Sequence, residues 1–447
     1  MSFKAEKRKP ANADNNKETR EALLAAHKRA AQRSDPESLY QIAIYYEETA
    51  QSPKDEKQAF EMYSQAAKLG HRSAMYELGR CYQDGLGVEP NPKEAYQWFK
   101  QCSNLGDIDA LLVVARYLES GYGVPQNREQ ALKLYEKCAH KGNSDACCEL
   151  GVIAQTGRMG PPDLKMAVRY YRQSAELGNP LGQEYLGLCY LNGTGVEKQE
   201  REAFECFKKG ARGKLPGSQY YLGQCYELGI GCKVNLEAAK QAYYEGAKLN
   251  HDEAQLALGY CFDKGVGTEP EPKRAVHWYG KSAHNGNAEA AYNVADCYRS
   301  GHGVNTDDTI AFEWLRRSAK GKYADGECRL GHCYEFGIGV DKNQANALKW
   351  YRRSAEHGSR TGQFNLGACL ELGIGIAQSR KEALRWYRSS AAQDFEPAKQ
   401  RLEALTAAPT TSVAKDPKIR RIAEELDSDS SDIPIATTPK KKLKRSE

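Results

Sequence analysis

Small, aromatic and apolar positions return along this chain every 36 residues, and no insertion breaks the register between residues 38 and 397. In the segment 74–109, Ala74, Leu78 and Tyr82 fall at i, i+4 and i+8, on one helical face. Gly85 and Gly87 follow, and glycine takes the left-handed backbone of a helix terminus without strain. A second run, Ala95, Trp98, Phe99 and Ser103, marks another helical face. The Gly85 position recurs at Gly121, Gly157, Gly193, Gly229, Gly265, Gly301, Gly337 and Gly373. Asp55, Asn91, Asn127, Asp163, Asn235, Asp307, Asn343 and Ser379 stand just before the second helix and predict side-chain caps for its first-turn N–H groups. Glu94, Gln130 and Glu382, three residues on, predict the reciprocal bond of a capping box. The pattern is therefore all-α, with about ten helix-turn-helix units filling residues 38–397.

Side-chain size predicts the packing. One mid-helix column reads Ala43, Gly79, Ala115, Gly151, Gly187, Gly223, Gly259, Ala295, Gly331 and Gly367. A glycine there costs about 1 kcal/mol relative to alanine, so its use in seven of ten units predicts a bulky group against that backbone. The expected occupants come from the second helix: Tyr63, Phe99, Tyr135, Tyr171, Phe207, Tyr243, Tyr279, Tyr351 and Tyr387, with Trp98, Trp278, Trp314, Trp350 and Trp386 beside them. Recurrence at one position assigns this aromatic stripe to the core rather than to a ligand site.

The unit A-x3-LG-x2-Y-x2-G-x-GV-x6-A-x2-WY-x3-A-x2-G resembles the Sel-1-like repeat, a relative of the tetratricopeptide repeat. Ala254, Leu258, Gly259, Gly265, Gly267, Ala275, Trp278, Tyr279, Ala283 and Gly286 fit it in order, with Cys261 and Phe262 where tyrosine is usual. Units 38–73 and 146–181 depart at the double-glycine turn, and unit 182–217 ends in Lys214-Leu215-Pro216-Gly217. The resemblance implies a right-handed α-solenoid of antiparallel helix pairs that serves as an adaptor or scaffold in multiprotein complexes. It also implies a concave face lined by the first helices. On such a face Tyr185, Leu188, Tyr221, Gln224, Tyr260, Arg329, His332 and Phe336 are expected to contact a partner. The competing expectation is that several of them pack on the neighbouring unit.

Fourteen cysteines suggest a disulfide framework until their positions are read. Cys81, Cys189, Cys225, Cys261, Cys297, Cys333 and Cys369 occupy one column. Equivalent sites on packed helices lie about 8–10 Å or more apart, beyond the roughly 7 Å that a disulfide spans. Core thiols in a reducing compartment follow. The charged start of the chain has no apolar run behind it and reads as no secretory signal, so cytoplasm and/or nucleus is the expected location. With 28% charged residues and a mean hydropathy of −0.73, no run approaches the ~20 apolar residues of a membrane span, and no membrane partner is expected. A net charge of +5 over 447 residues is mild and by itself does not argue for nucleic acid.

Chemistry is sparse. The turns GLGVEP, GIGVDK and GTGVEK echo phosphate loops, but they follow helices and lack the Lys-Ser/Thr pair. His277 and His284 stand seven apart without a metal-ligand pairing, and no nucleophile, base or carboxylate pair stands out. The expectation is no enzyme, no metal and no cofactor.

Residues 1–16 read as a disordered polar arm and 17–37 as an N-terminal capping helix carrying Leu23, Leu24 and Ala31. Residues 398–408 read as a closing helix, and 409–447 as a disordered tail. Within the tail, Ser428, Ser430 and Ser431 lie among carboxylates as an acidophilic kinase requires, and Thr438-Pro439 has the form of a proline-directed site. Lys440, Lys441, Lys442, Lys444 and Arg445 resemble a monopartite nuclear-import signal, which neighbouring phosphates would gate. The expected function is a non-enzymatic scaffold for other proteins, with an import receptor and kinases as partners of the tail. A nucleic-acid-associated factor using its basic arms is the second reading.

Overall fold

The computed structural model describes residues 35–50 and 52–407, and these hold 21 α-helices and no strand. They fall into two compact units. The first runs to Cys189 and includes 193–197; the second holds 190–192 and everything from Lys198 onward. In the first unit the helices alternate as α1 (Pro36–Thr49), α2 (Pro53–Lys68), α3 (Arg72–Asp84), α4 (Pro92–Asn104), α5 (Ile108–Ser120), α6 (Arg128–His140), α7 (Ser144–Thr156) and α8 (Leu164–Glu176). Helix α9 (Pro180–Asn192) belongs to it except for the last turn. The second unit continues with α10 (Glu200–Arg212), α11 (Pro216–Leu228), α12 (Leu236–Lys248), α13 (Asp252–Lys264), α14 (Pro272–His284) and α15 (Ala288–Ser300). It closes with α16 (Asp308–Lys320), α17 (Ala324–Phe336), α18 (Gln344–Glu356), α19 (Arg360–Leu372), α20 (Arg380–Ala391) and α21 (Glu396–Ala407). From α1 to α20, odd-numbered helices are first helices and even-numbered ones second helices of each repeat, and α21 follows the last repeat.

The glycine-aromatic packing expected from the sequence is present. A Cβ added at Gly151 would lie 2.4 Å from the Tyr171 ring, and one at Gly223 2.5 Å from Tyr243. The turn glycines do two different jobs. Gly229 ends α11 at φ +71°, where its N–H donates to the Cys225 carbonyl. Gly231, two residues on, has φ +68°, and a Cβ there would stand 2.2 Å from the Glu200 carbonyl oxygen, at the start of the preceding repeat's second helix. Where it is present, the second turn glycine therefore seats its repeat on the one before it, and Gly87 does the same against the Glu56 carbonyl in the first unit.

Caps mostly follow the predicted column: Asn91, Asn127, Asp163, Asn235, Asp307, Asn343 and Ser379 each accept a first-turn N–H. Asp55 differs. Ser52 is the N-cap of α2, and Asp55 stands three residues in, where its carboxylate accepts the Ser52 N–H (3.1 Å) and hydroxyl (2.9 Å). The capping-box half thus occurs at Asp55, because Pro53 starts that helix early. First helices carry their own caps, among them Asp107, Asn143, Asn179, Asn287 and, less expectedly, His71 and His251.

The ends also shift. Pro36 and Glu37 open α1, with the Ser38 N–H donating to Asp35 (2.9 Å), rather than closing a preceding helix. The remainder of the expected capping helix up to residue 34, the arm 1–16 and the tail 409–447 lie outside the described residues. The closing helix starts at Glu396, two residues before the expected boundary.

Candidate protein-binding face

Each first helix presents three kinds of position: a core face, a row that meets the same helix of adjacent repeats, and a remaining exposed stripe. The middle row is organised by polar side chains. Tyr243 Oη donates to Glu227 (2.5 Å) and Tyr135 Oη to Glu119 (2.6 Å), and the same 16-residue step links Tyr63 to Glu47, Tyr171 to Gln155, Tyr351 to Glu335 and Tyr387 to Glu371. Burial, then the neighbouring carboxylate, hold the phenols of Tyr63 and Tyr243 well above the ordinary tyrosine range. Where the second helix has no tyrosine, at Phe99, Phe207 and Leu315, the partner position is Gln83, Leu191 and Arg299.

In the first unit this face is committed to ion pairs between repeats. Arg80, held by Glu77 of its own helix (2.6 Å), reaches back to Glu47 (3.2 Å), Arg116 meets Glu149 (3.0 Å), and Arg158 meets Glu119 (2.6 Å). Helix α9 differs: Leu181, Tyr185 and Leu188 lie at i, i+4 and i+7, Leu181 is 42% exposed, and Tyr185 leans on the Tyr171 ring at 5.1 Å.

In the second unit, α11 repeats that character with Tyr221, Gln224 and Leu228. Tyr221 stacks on Phe207 (5.1 Å, 25°), Gln224 donates to the Tyr220 hydroxyl (2.9 Å), and Leu228 is 47% exposed. Tyr260 on α13 is half-buried, and on α17 the His332 ring packs on Phe336 at 4.5 Å. Arg329 departs from expectation. It is 7% exposed and donates to the Tyr292 hydroxyl of the preceding repeat (3.5 Å), so it joins helices instead of facing a partner. Asn365, one repeat on, reaches back to Cys328 in the same way (3.4 Å).

Two buried carboxylates escaped the sequence reading. Glu327 is fully buried and meets His357 (2.6 Å) and Arg353 (3.2 Å) of the adjoining second helix. Glu371, 3% exposed, accepts from Tyr387 (2.9 Å) and from Arg401 Nε (2.9 Å) of α21. The signal for Glu371 was in the sequence, as the acid 16 residues before a core tyrosine; Glu327 offers no such spacing. Leu181 and Leu228 were also missed, although their i, i+4, i+7 and i, i+3, i+7 spacing from the expected contacts marks them.

Among the described residues one group of potential metal ligands comes together, His251, Asp252 and Glu253. His251 Nδ1 accepts the Ala254 N–H (3.2 Å) and Asp252 accepts from Asn287 (3.3 Å), so two of the three are engaged as helix-end partners. No helix of the described residues is long and apolar enough to cross a membrane. The import-like residues 440–445 and the serines of the tail lie outside the described residues.

Ten copies of the Sel1 repeat match the chain, at 36–71, 72–107, 108–143, 144–179, 180–214, 216–251, 252–287, 288–323, 324–359 and 361–395. Among solved structures, c5321, a protective antigen of uropathogenic Escherichia coli with an SLR fold, aligns at 25% identity over 90% of this chain and 93% of its own, with a TM-score of 0.53. A Sel1 repeat protein from Oxalobacter formigenes aligns at 27% identity over 55% of this chain and 96% of its own, with a TM-score of 0.50. No curated protein matches the chain.

Proposed function

Because this chain belongs to the Sel1 repeat family, we propose that it is a non-enzymatic scaffold that captures partner proteins on the exposed stripe of its first helices. Solenoids of this family are in general protein-interaction scaffolds. The observation that carries the reading here is the uncovered apolar stripe of α11, where Leu228 is 47% exposed beside Tyr221 and Gln224. An aromatic ring braced from below, as Tyr221 is by Phe207, gives contact area at little entropic cost. In this reading Tyr185 and Leu188 on α9, Tyr260 on α13 and His332 with Phe336 on α17 are further contacts. Arg329 is withdrawn from the contact set, since it is buried.

The test is affinity capture with full-length Leu228→Asp and Tyr260→Ala. Leu228 is exposed and Tyr260 is half-buried outside the core columns, so far-UV circular dichroism stays unchanged. Central anchors are worth about 2 kcal/mol each, so captured partners fall at least about tenfold. An unaltered partner profile in both variants removes the reading. We also propose that kinases acting on Ser428, Ser430, Ser431 and Thr438, and an import receptor binding Lys440, Lys441, Lys442, Lys444 and Arg445, regulate where the scaffold works. Replacing Lys440, Lys441 and Lys442 with alanine lowers the nuclear fraction of the full chain; an equal distribution eliminates the import role.

A further inference from the structure

The second helices of the last repeats carry a face that the scaffold reading leaves unused. Arg316, Arg352 and Arg388 occupy one exposed position in three successive repeats, on α16, α18 and α20. Lys349 and Arg385 share a second exposed position on α18 and α20. Arg316 is held by Glu313 (2.9 Å), whereas Lys349, Arg352, Arg385 and Arg388 form no ion pair among the described residues. Half-buried Trp350 and Trp386 flank them, and Arg353 lies over the Trp350 ring at 4.7 Å. Surface arginines left without carboxylates, beside indole faces, suit a flexible polyanionic segment.

We propose that the chain's own acidic segment, residues 424–432, docks on this face of α18 and α20. That segment, Glu-Glu-Leu-Asp-Ser-Asp-Ser-Ser-Asp, holds five carboxylates and no positive charge. The root of the tail is fixed in the right place. Arg380, at the start of α20, donates to the Leu405 carbonyl in the last turn of α21, so the tail leaves at Ala407 beside the helix that bears Arg385 and Arg388. Residues 408–423 join root and segment. A chain of that length spans at most roughly 55–60 Å extended and about 20–25 Å on average. Helix α20 has 12 residues, or about 18 Å at 1.5 Å per residue, so its whole outer face lies within average reach. Tethering supplies an effective concentration in the millimolar range, enough for a weak electrostatic contact to be populated. The contact is screened by salt. It does not depend on the first-helix stripe.

The measurement is backbone hydrogen exchange across residues 424–432 in the full chain, at about 50 mM and about 500 mM salt. The expected result is exchange slowed several-fold at low salt only. The slowing is lost in the triple variant Arg352→Glu, Arg385→Glu, Arg388→Glu, and also when Glu424, Glu425, Asp427, Asp429 and Asp432 are made amides. The three arginines are exposed, and an unchanged melting curve checks that the fold survives. Equal exchange in all proteins overturns the proposal, as does slowing that persists in the arginine variant. Slowing that grows with protein concentration assigns the contact to a second copy and overturns it too. So does binding of a single-stranded RNA oligonucleotide that the arginine variant abolishes while tail exchange is the same with and without that variant.

Discussion

Thiol reactivity in this protein is set by burial. Thirteen cysteines are buried and Cys232, in the turn after α11, is half-buried. Desolvation pushes Cys81, Cys102, Cys148, Cys225, Cys261 and Cys297 up to about 12. A thiol-disulfide reagent at pH 8 should therefore titrate Cys232 first in the native protein and the others only on unfolding; a second fast thiol contradicts this. His251 gives a pH dependence of known sign. Burial holds its imidazole below the ordinary histidine range, with Asp252 opposing, and Nδ1 accepts the Ala254 N–H. The folded state thus binds this proton less readily than the unfolded state. The stability is complete above about pH 6.5, the unfolded value, and is lost as pH falls through the depressed folded value. His251→Asn, the cap used at Asn143, Asn179 and Asn287, keeps the cap and flattens the melting temperature between pH 7 and pH 5. An unchanged pH slope in that variant assigns the acid sensitivity elsewhere.

Within a helix pair, the glycine-aromatic contact and the tyrosine-acid bond act on the same ring. Gly223→Ala places a methyl 2.5 Å from Tyr243, an overpacking of about 1–3 kcal/mol. Tyr243→Phe removes the donor to Glu227 and is expected to cost about 1 kcal/mol. Chemical denaturation should show Gly223→Ala destabilised although alanine is the better helix former by about 1 kcal/mol, and an alanine variant more stable than the parent refutes the packing account. Helix ends and core columns were readable because Gly229 and Gly223 leave a local mark that no neighbour alters. The cap roles of Asp55 and His251 were harder, since a single proline moves a helix start and imidazole is an uncommon cap. The burial of Arg329 was not readable at all: whether an outward position faces water depends on what the preceding repeat offers, here the Tyr292 hydroxyl. Tyr221 and Leu228 were half readable, as residue types at the right spacing whose exposure only packing decides.

For the molecule as a whole, stability is carried by contacts between adjacent repeats within each unit, so energies add along the chain like nearest-neighbour terms. Deleting residues 288–323, one full copy, joins equivalent positions and should leave a cooperative, equally helical protein. Deleting 288–305 removes the first helix α15 with its turn, so that second helix α14 runs straight into second helix α16 with no partner between them, and should lower both helicity and midpoint in a denaturant titration. Equal behaviour of the two deletions contradicts strict register. The seating of Gly231 on the Glu200 carbonyl carries a consequence for how the chain is made. The glycine lies 31 residues after the carbonyl it covers, as Gly87 lies after Glu56. On a ribosome, the start of a second helix covered in this way therefore waits bare until the next turn has emerged. Synthesis advances with one unfinished rung always at its growing end. A chain stopped between the two leaves that rung uncovered, so an interrupted product differs from a completed one by a bare helix start at its last repeat.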